Sequence, residues 1–70
     1  MRVLLLGAGP EAPPLLHLVR AMDWLAEVAD HRPALLQAGR LDGARALHAH
    51  RPAQALAGLA APPDAVVVMT

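Results

Sequence analysis

The sequence predicts an α/β domain in which a four-stranded parallel sheet lies between helices in three layers. Two continuous apolar runs, Val3–Leu6 and Ala65–Met69, are typical of strands buried on both faces. Segments with helical features alternate with the strands, which favours right-handed crossovers, the strand order 3-2-1-4 and two or three helices. Because the chain has 70 residues, we expect a single small domain over residues 1–70.

The first strand, Val3–Leu6, is closed by Gly7 and is too short to be a buried helix. A helix follows, because apolar residues recur at i, i+3, i+4 and i+7 and predict a stripe that faces the core. This stripe consists of Leu15, Leu18, Val19 and Met22. Pro13 and Pro14 suit the first turn of that helix. Trp24 ends the helix, and we expect it to pack over the core.

The remaining segments continue the alternation. Leu25–Asp30 predicts the second strand, and Pro33–Ala38 predicts a short helix. The segment RLDGA is typical of a turn. Ala46–His50 has mixed polarity, which predicts a strand at the edge of the sheet. Pro52–Leu59 begins with proline and predicts a helix before the last strand.

A glycine-rich turn joins the first strand to the first helix. Gly7, Gly9 and Ala12 fit the pattern G-x-G-x-x-A of dinucleotide-binding sites. Gly7 permits the tight turn, Gly9 lets a pyrophosphate approach the backbone, and Ala12 lets the helix pack close to the strand. Asp30 lies 21 residues after Gly9, close to the spacing of a ribose-binding carboxylate. These features predict a Rossmann-like half domain that prefers NAD to NADP, because an aspartate favours a free 2′-hydroxyl.

The same turn has a second interpretation, in which it serves packing alone and binds no dinucleotide. Pro13 and Pro14 lack backbone N–H groups, and Glu11 places a negative charge near the expected phosphates. Arg32 follows Asp30 closely and is expected either to bridge to a phosphate or to be a solvated loop charge. The residues leave both interpretations open.

The composition excludes several classes of function. The chain has no Ser, Cys, Tyr or Lys, and its single hydroxyl group belongs to Thr70, so no activated nucleophile is available and we expect no catalytic activity. The net charge is zero and the six arginines are scattered, which argues against nucleic-acid binding. No apolar stretch approaches the roughly 20 residues of a membrane span. We expect a cytoplasmic protein.

Four histidines raise the question of a metal site. His48 and His50 would share one face of a strand, but a zinc site needs three or four ligands and no third has a recognisable spacing. We therefore expect no bound metal. His17 is expected on a helix surface, and His31 beside the ribose site is either a ligand contact or a surface residue.

Several segments in this order resemble the Rossmann-like C-terminal domain of XdhC/CoxI-type proteins, which are xanthine dehydrogenase accessory proteins. They are VLLLGAGPEAPPLLHLVRAMDW, VADHRP, RLDGA and VVVMT. The resemblance implies a chaperone that binds molybdenum cofactor, aids its sulfuration and delivers it to a xanthine dehydrogenase-like molybdenum hydroxylase. It also implies that Gly7, Gly9, Asp30 and Arg32 line a nucleotide-like pocket.

The chain departs from the family pattern in several respects, among them Glu27 in a strand position that usually holds a smaller residue. Asp23 stands where a glycine is expected at the end of the first helix; aspartate tolerates the left-handed conformation less well than glycine but can adopt it. The N-terminal domain of the family, its cysteine and the later strands and helices are not represented, so we expect an incomplete domain. Three functions remain open: an accessory domain, the NAD-binding half of an oxidoreductase, or a truncated fold without function.

An exposed sheet face is a further expectation. In a 3-2-1-4 sheet the first two crossovers cover one face, and only Pro52–Leu59 covers the other. We therefore expect Val66, Val67, Val68 and the first strand to form an exposed apolar patch that supports a homo-oligomer.

Overall fold

A computed structural model describes residues 1–59 and 61–69, so Thr70 lies outside the described residues. Its elements confirm the predicted alternation of strands and helices. They are β1 (Arg2–Leu6), α1 (Ala12–Ala21), β2 (Leu25–Ala29), a 3-10 turn (Pro33–Leu35), β3 (Ala46–His48), α2 (Pro52–Ala57) and β4 (Ala65–Val68).

The four strands form one parallel sheet in the order β3-β2-β1-β4, as the sequence predicts. The apolar strand β1 lies between β2 and β4, with Leu5 opposite Val28 on one side and Val67 on the other. Because the strands are parallel, all four carboxyl ends meet at one edge of the sheet. The residues that follow β1, β2 and β3 are thereby brought together with Met69, which follows β4.

The face of the sheet that α1 covers holds the larger core. The sequence stripe predicted for α1 is wrong in part, because Leu18 and Met22 are 61% and 58% exposed. The buried stripe instead consists of Ala12, Leu16 and Val19. Ala12 packs beneath the glycine turn and is fully buried, and this fixes the rotation of the helix so that Leu16 and Val19 follow it at i+4 and i+7.

Both ends of α1 follow from their sequence. The helix begins at Ala12, so that Pro13 lies in the first turn, where its missing N–H leaves no hydrogen bond unmade. At the other end Asp23 has φ +62° and its N–H donates to the Arg20 carbonyl at 2.9 Å. The Trp24 N–H donates to the Val19 carbonyl at 3.1 Å, which completes a Schellman motif. Trp24 packs against the core, as predicted.

The opposite face has a smaller core of Leu4, Leu6, Ala29 and Ala55, with Leu59 against it. The expectation that the first strand is exposed is therefore wrong, because α2 covers it. Val67 also packs into the core beneath α1. The exposed part of this face is confined to Val66 and Val68, which are 42% and 67% exposed.

Three predicted elements are shorter than expected by two residues or more, and one of them is α2, which ends at Ala57 and not at Leu59. The predicted helix over residues 33–38 is a single 3-10 turn, and Leu36 leaves the helical conformation at ψ 60°. The edge strand ends at His48, because the His50 N–H turns back to donate to the His48 carbonyl at 3.0 Å. His50 and the following arginine are thereby moved from the strand to the carboxyl edge of the sheet.

Candidate functional site

The glycine turn lies at the carboxyl end of β1, where the sequence predicts a site. Gly7 has φ +126°, and a Cβ atom there would lie 2.6 Å from the Met69 carbonyl oxygen. Its N–H donates to the Ala29 carbonyl at 2.8 Å. Only glycine fits this position, because both the backbone conformation and the contact with the end of β4 exclude a side chain.

Asp30 connects the glycine turn to the end of β2. Its carboxylate is 2% exposed, and it accepts hydrogen bonds from the backbone N–H groups of Ala8 and Arg32, each at 2.8 Å. The bond to Ala8 crosses from β2 to the turn after β1. Asp30 therefore fixes the shape of the turn from the inside of the molecule.

The Arg32 side chain completes the shell around this carboxylate. Its Nε donates to Oδ1 and its Nη2 donates to Oδ2, each at 2.9 Å, in a bidentate arrangement. The Arg32 guanidinium, together with the backbone N–H donors, holds the pKa of Asp30 well below its usual range despite burial. The carboxylate in turn raises the pKa of Arg32.

These four donors occupy the roughly four lone-pair sites of the Asp30 carboxylate. Asp30 can therefore accept a ribose hydroxyl only if the Arg32 side chain moves away. The ribose-binding role of Asp30 stays a prediction. The Arg32 side chain is 54% exposed, as a solvated loop charge would be, but it is paired with Asp30. Its bridging to a phosphate stays a prediction.

Arg40 is a site residue that the sequence reasoning missed. Its Nη1 donates to the Ala8 carbonyl at 2.6 Å and to the Leu35 carbonyl at 3.0 Å, and its Nη2 donates to the Gly9 carbonyl at 2.8 Å. The guanidinium thus holds the outer side of the turn while Asp30 holds the inner side. The available signal was that Arg40 opens the segment RLDGA, which the family resemblance already included.

The turn offers few donors to a phosphate. The N–H groups of Gly7, Ala8 and Ala12 donate to Ala29, Asp30 and Gly9. Prolines occupy three of the following positions and have no N–H. In the described part of the chain, this leaves the N–H groups of residues 9 and 11.

Gly9 and Ala12 have different surroundings. A Cβ atom on Gly9 would lie 3.3 Å from the Glu11 carboxylate, with no other atom within 4 Å among the described residues. The space over Gly9 is therefore open except for that carboxylate. Ala12 is fully buried and packs α1 against the sheet. Its contribution to a cofactor site would be through the position of α1.

A cleft of about 440 Å³ lies beside the turn at the carboxyl edge of the sheet. It is lined by the ends of β1, β2 and β4, the segments that follow them, and the segment from His50 to the start of α2. The lining residues are Leu6, Gly7, Ala29, Asp30, His31, Arg32, His50, Arg51, Pro52, Val68 and Met69. Its volume falls in the range of about 300–1,000 Å³ that is typical of small-molecule sites. A smaller hollow of about 170 Å³ lies over Gly9 and Glu11.

Two of the four histidines, His31 and His50, line the cleft. The His48 Nε2 lies 2.8 Å from the Glu27 carboxylate, and the His48 and His50 rings stack with centroids 6.5 Å apart. His31 Nδ1 lies 3.7 Å from the Asp30 carboxylate. Within residues 1–59 and 61–69, no group of three or more His, Cys, Asp or Glu side chains is placed to hold a metal ion.

The fold and the position of the cleft define a class. A parallel 3-2-1-4 sheet with a glycine turn after β1, and a cleft where β1 and β4 meet, is a Rossmann-like half domain. The helices of the described residues are all too short or too polar to cross a membrane.

Comparison with solved structures gives a similarity along nearly the whole chain. The chain is similar to a crystal structure described as a xanthine dehydrogenase from Bacillus halodurans, with a TM-score of 0.87 and 30% sequence identity. The similarity covers 99% of this chain but 22% of the other, so the chain spans about a fifth of that protein's length. No family model matches the sequence, and no curated protein matches it. The chain therefore has the fold of one segment of a xanthine dehydrogenase-related protein.

Proposed function

We propose that this chain is part of an accessory protein of the XdhC/CoxI type, which assists the maturation of a xanthine dehydrogenase-like molybdenum hydroxylase. The observation that carries the proposal is the similarity, along nearly the whole chain, to a protein described as a xanthine dehydrogenase. The chain itself supplies no activated nucleophile, which favours an assisting role over catalysis.

The site supports this proposal through its construction. Asp30 and Arg32 belong to the segment VADHRP, and Arg40 belongs to RLDGA, two segments that carry the family resemblance. In the structure these three side chains hold the glycine turn in one shape. The three residues from the segments that resemble the XdhC/CoxI family therefore stabilise the same turn beside the cleft.

The ligand in this proposal is molybdenum cofactor or a nucleotide such as NAD. The cleft is large enough for one nucleotide half, and the open backbone at Gly9 leaves room for a phosphate. In this arrangement Gly7 and Ala12 shape the turn, and the Gly9 N–H is the donor nearest to the ligand. Molybdenum cofactor would be cargo that the protein hands to the hydroxylase.

A second candidate is the NAD-binding half of an oxidoreductase. The observation that favours it is the G-x-G-x-x-A turn in its predicted place between β1 and α1, with Asp30 at the end of β2. The occupied lone pairs of Asp30 count against it, because the expected ribose acceptor is bound to Arg32.

The accessory role can be tested by deleting the gene in its source organism and measuring the molybdenum hydroxylase. We expect the hydroxylase polypeptide at its normal level, with low activity and a low content of sulfurated cofactor. Restoring the wild-type gene should recover both quantities, whereas a gene encoding the Gly7→Val variant should not. Normal hydroxylase activity in the deletion strain would contradict the accessory role.

A further inference from the structure

The cleft has an unbalanced positive charge. Its lining includes two arginines, Arg32 and Arg51, but one carboxylate, Asp30. Asp30 and Arg32 neutralise each other through their bidentate contact. Arg51 lines the cleft, is exposed and makes no ion pair with any described residue, so no described carboxylate neutralises its charge.

The side of the cleft near Arg51 also carries a positioned ring. His50 stacks on His48, and His48 is held by Glu27 at 2.8 Å. Pro52 and Val68 supply apolar surface next to these polar groups. The combination of an arginine, an imidazole and an apolar wall fits a ligand with an apolar body and one anionic group.

We propose that Arg51 and His50 bind a phosphate monoester on the ligand of this cleft, at a position distinct from the glycine turn. The proposal rests on the nucleotide-like ligand of the proposed function and names its chemical class. It also reverses the preference for NAD over NADP that Asp30 predicts in the sequence. Because Asp30 is buried and bound to Arg32, the cleft presents no free carboxylate to a ribose diol.

A phosphate monoester suits these groups better than a hydroxyl or a carboxylate. Its second ionisation has a pKa near 6, so it carries close to two negative charges at neutral pH. A guanidinium can donate two parallel hydrogen bonds to its oxygens. Arg51 lies at the beginning of α2, and the Asp30 carboxylate is paired with Arg32 and not with Arg51.

The test compares two probes that differ by one phosphate monoester, NADP and NAD, together with inorganic phosphate. Binding to the labelled 70-residue chain is followed by titration in amide NMR spectra, which also report whether each variant is folded. We expect NADP to bind about tenfold or more tightly than NAD, as one additional charge-assisted contact predicts. Inorganic phosphate should shift the backbone amides of His50 and Arg51 and should compete with NADP.

Variants separate the Arg51 side chain from a general charge effect. Arg51→Gln should remove the preference for NADP, and Arg51→Lys should retain part of it, because lysine keeps the charge without the bidentate geometry. Arg45→Gln is the matched control. Arg45 is also exposed, but it precedes β3 at the opposite end of the strands, so its loss should leave the preference intact.

Equal or tighter binding of NAD would overturn the proposal, as would a preference for NADP that Arg51→Gln leaves unchanged. Failure of both dinucleotides and of phosphate to bind the folded chain would overturn it too. None of these results bears on the accessory role, which the deletion strain tests separately. A normal hydroxylase in that strain, combined with binding of NADP through Arg51, would leave the phosphate site standing and remove the accessory role.

Discussion

Two arginines at the same edge of the sheet have opposite surroundings. Arg32 lies against Asp30 with two hydrogen bonds of 2.9 Å, whereas Arg51 faces the cleft without an ion-pair partner among the described residues. The glycine turn beside Arg32 is held by hydrogen bonds to the side chains of Asp30 and Arg40. The cleft beside Arg51 has no such internal ion pair among the described residues.

This difference changes how the sequence motif is understood. Asp30 and Gly7 match a ligand-binding pattern, but their contacts are with Ala8, Arg32 and Met69 of the same chain. A motif can thus be present because the fold needs it. We therefore expect substitutions in the turn to change stability, and substitutions in the cleft to change binding.

The largest expected effect is that of Gly7→Ala. The substitution places a Cβ atom 2.6 Å from the Met69 carbonyl oxygen at φ +126°. We expect a loss of about 3 kcal/mol or more in the free energy of unfolding. Urea denaturation followed by Trp24 fluorescence measures it.

Gly39→Ala is the matched control for Gly7→Ala. A Cβ atom on Gly39 meets no described atom within 4 Å, and its φ lies outside the left-handed region. We expect this variant to unfold within about 0.5 kcal/mol of the wild type. Equal stability of the two variants would show that the close approach at Gly7 is relaxed in solution.

Asp30→Ala should have the next largest effect. It leaves the buried Ala8 N–H without its acceptor and frees the Arg32 N–H. We expect a loss of about 2–4 kcal/mol in the free energy of unfolding, since each unsatisfied buried donor costs about 1–3 kcal/mol. Thermal and urea unfolding should agree, and Asp42→Ala, at a carboxylate 90% exposed, should change little.

The pH dependence of stability gives an independent measurement of the same carboxylate. Because the folded-state pKa of Asp30 is lowered, its contribution is complete above the ordinary aspartate pKa of about 4 and is lost as the pH falls toward the folded value. The wild type should therefore lose stability from about pH 5 downward. Asp30→Asn should flatten this part of the profile. An unchanged acid slope in that variant would mean that other carboxylates cause it.

Arg40→Gln should have a smaller effect on stability. It removes three hydrogen bonds to the carbonyls of Ala8, Gly9 and Leu35 from a half-buried position. We expect a loss of about 1–2 kcal/mol in the free energy of unfolding. The loss is limited because water can bond to these carbonyls once the arginine is gone. The amide exchange of the turn should accelerate more than that of β2. Arg45→Gln, with the same change of charge, should leave both quantities unaltered.

Val68→Thr should have the smallest effect on unfolding. Its side chain is 67% exposed, whereas Val28 on the same sheet is fully buried. We expect a change of less than about 0.5 kcal/mol for Val68→Thr, against about 2 kcal/mol for Val28→Thr. The predicted homo-oligomer is tested with the same variant. Weaker self-association of Val68→Thr in sedimentation equilibrium would support it, and a monomeric wild type would contradict it.

The sheet was predictable because its signals are local and strong. The runs at Val3–Leu6 and Ala65–Met69 are continuous and apolar enough to predict strands, and their order follows from the alternation with helices. The prediction that both are buried on both faces holds for the first run only, because Val66 and Val68 in β4 are exposed. The face of α1 was less predictable. Leu15, Leu18 and Met22 form as regular a pattern as the true stripe, and the burial of Ala12 decides between the two patterns.

The predicted site residues lie together, but their contacts were not predictable from spacing. The interval between Gly9 and Asp30 places the carboxylate beside the turn and says nothing about what it binds there. Arg40 reaches the turn from 31 residues away in the sequence, through a loop without periodicity. Such a contact depends on the path of a loop, which local residue patterns do not determine.

The strand β1 is bound at both ends by residues from the far end of the chain. Arg2 exchanges hydrogen bonds with Asp64 at 2.7 and 2.8 Å, and Gly7 lies against Met69. During synthesis, the unit from β1 to β2 is complete at Ala29, but β4 begins 36 residues later at Ala65. At about 5–20 residues per second, one edge of the most apolar strand waits roughly 2–7 s for its partner. A nascent chain is therefore exposed to mispairing during that interval, and slower translation of residues 30–64 would prolong it.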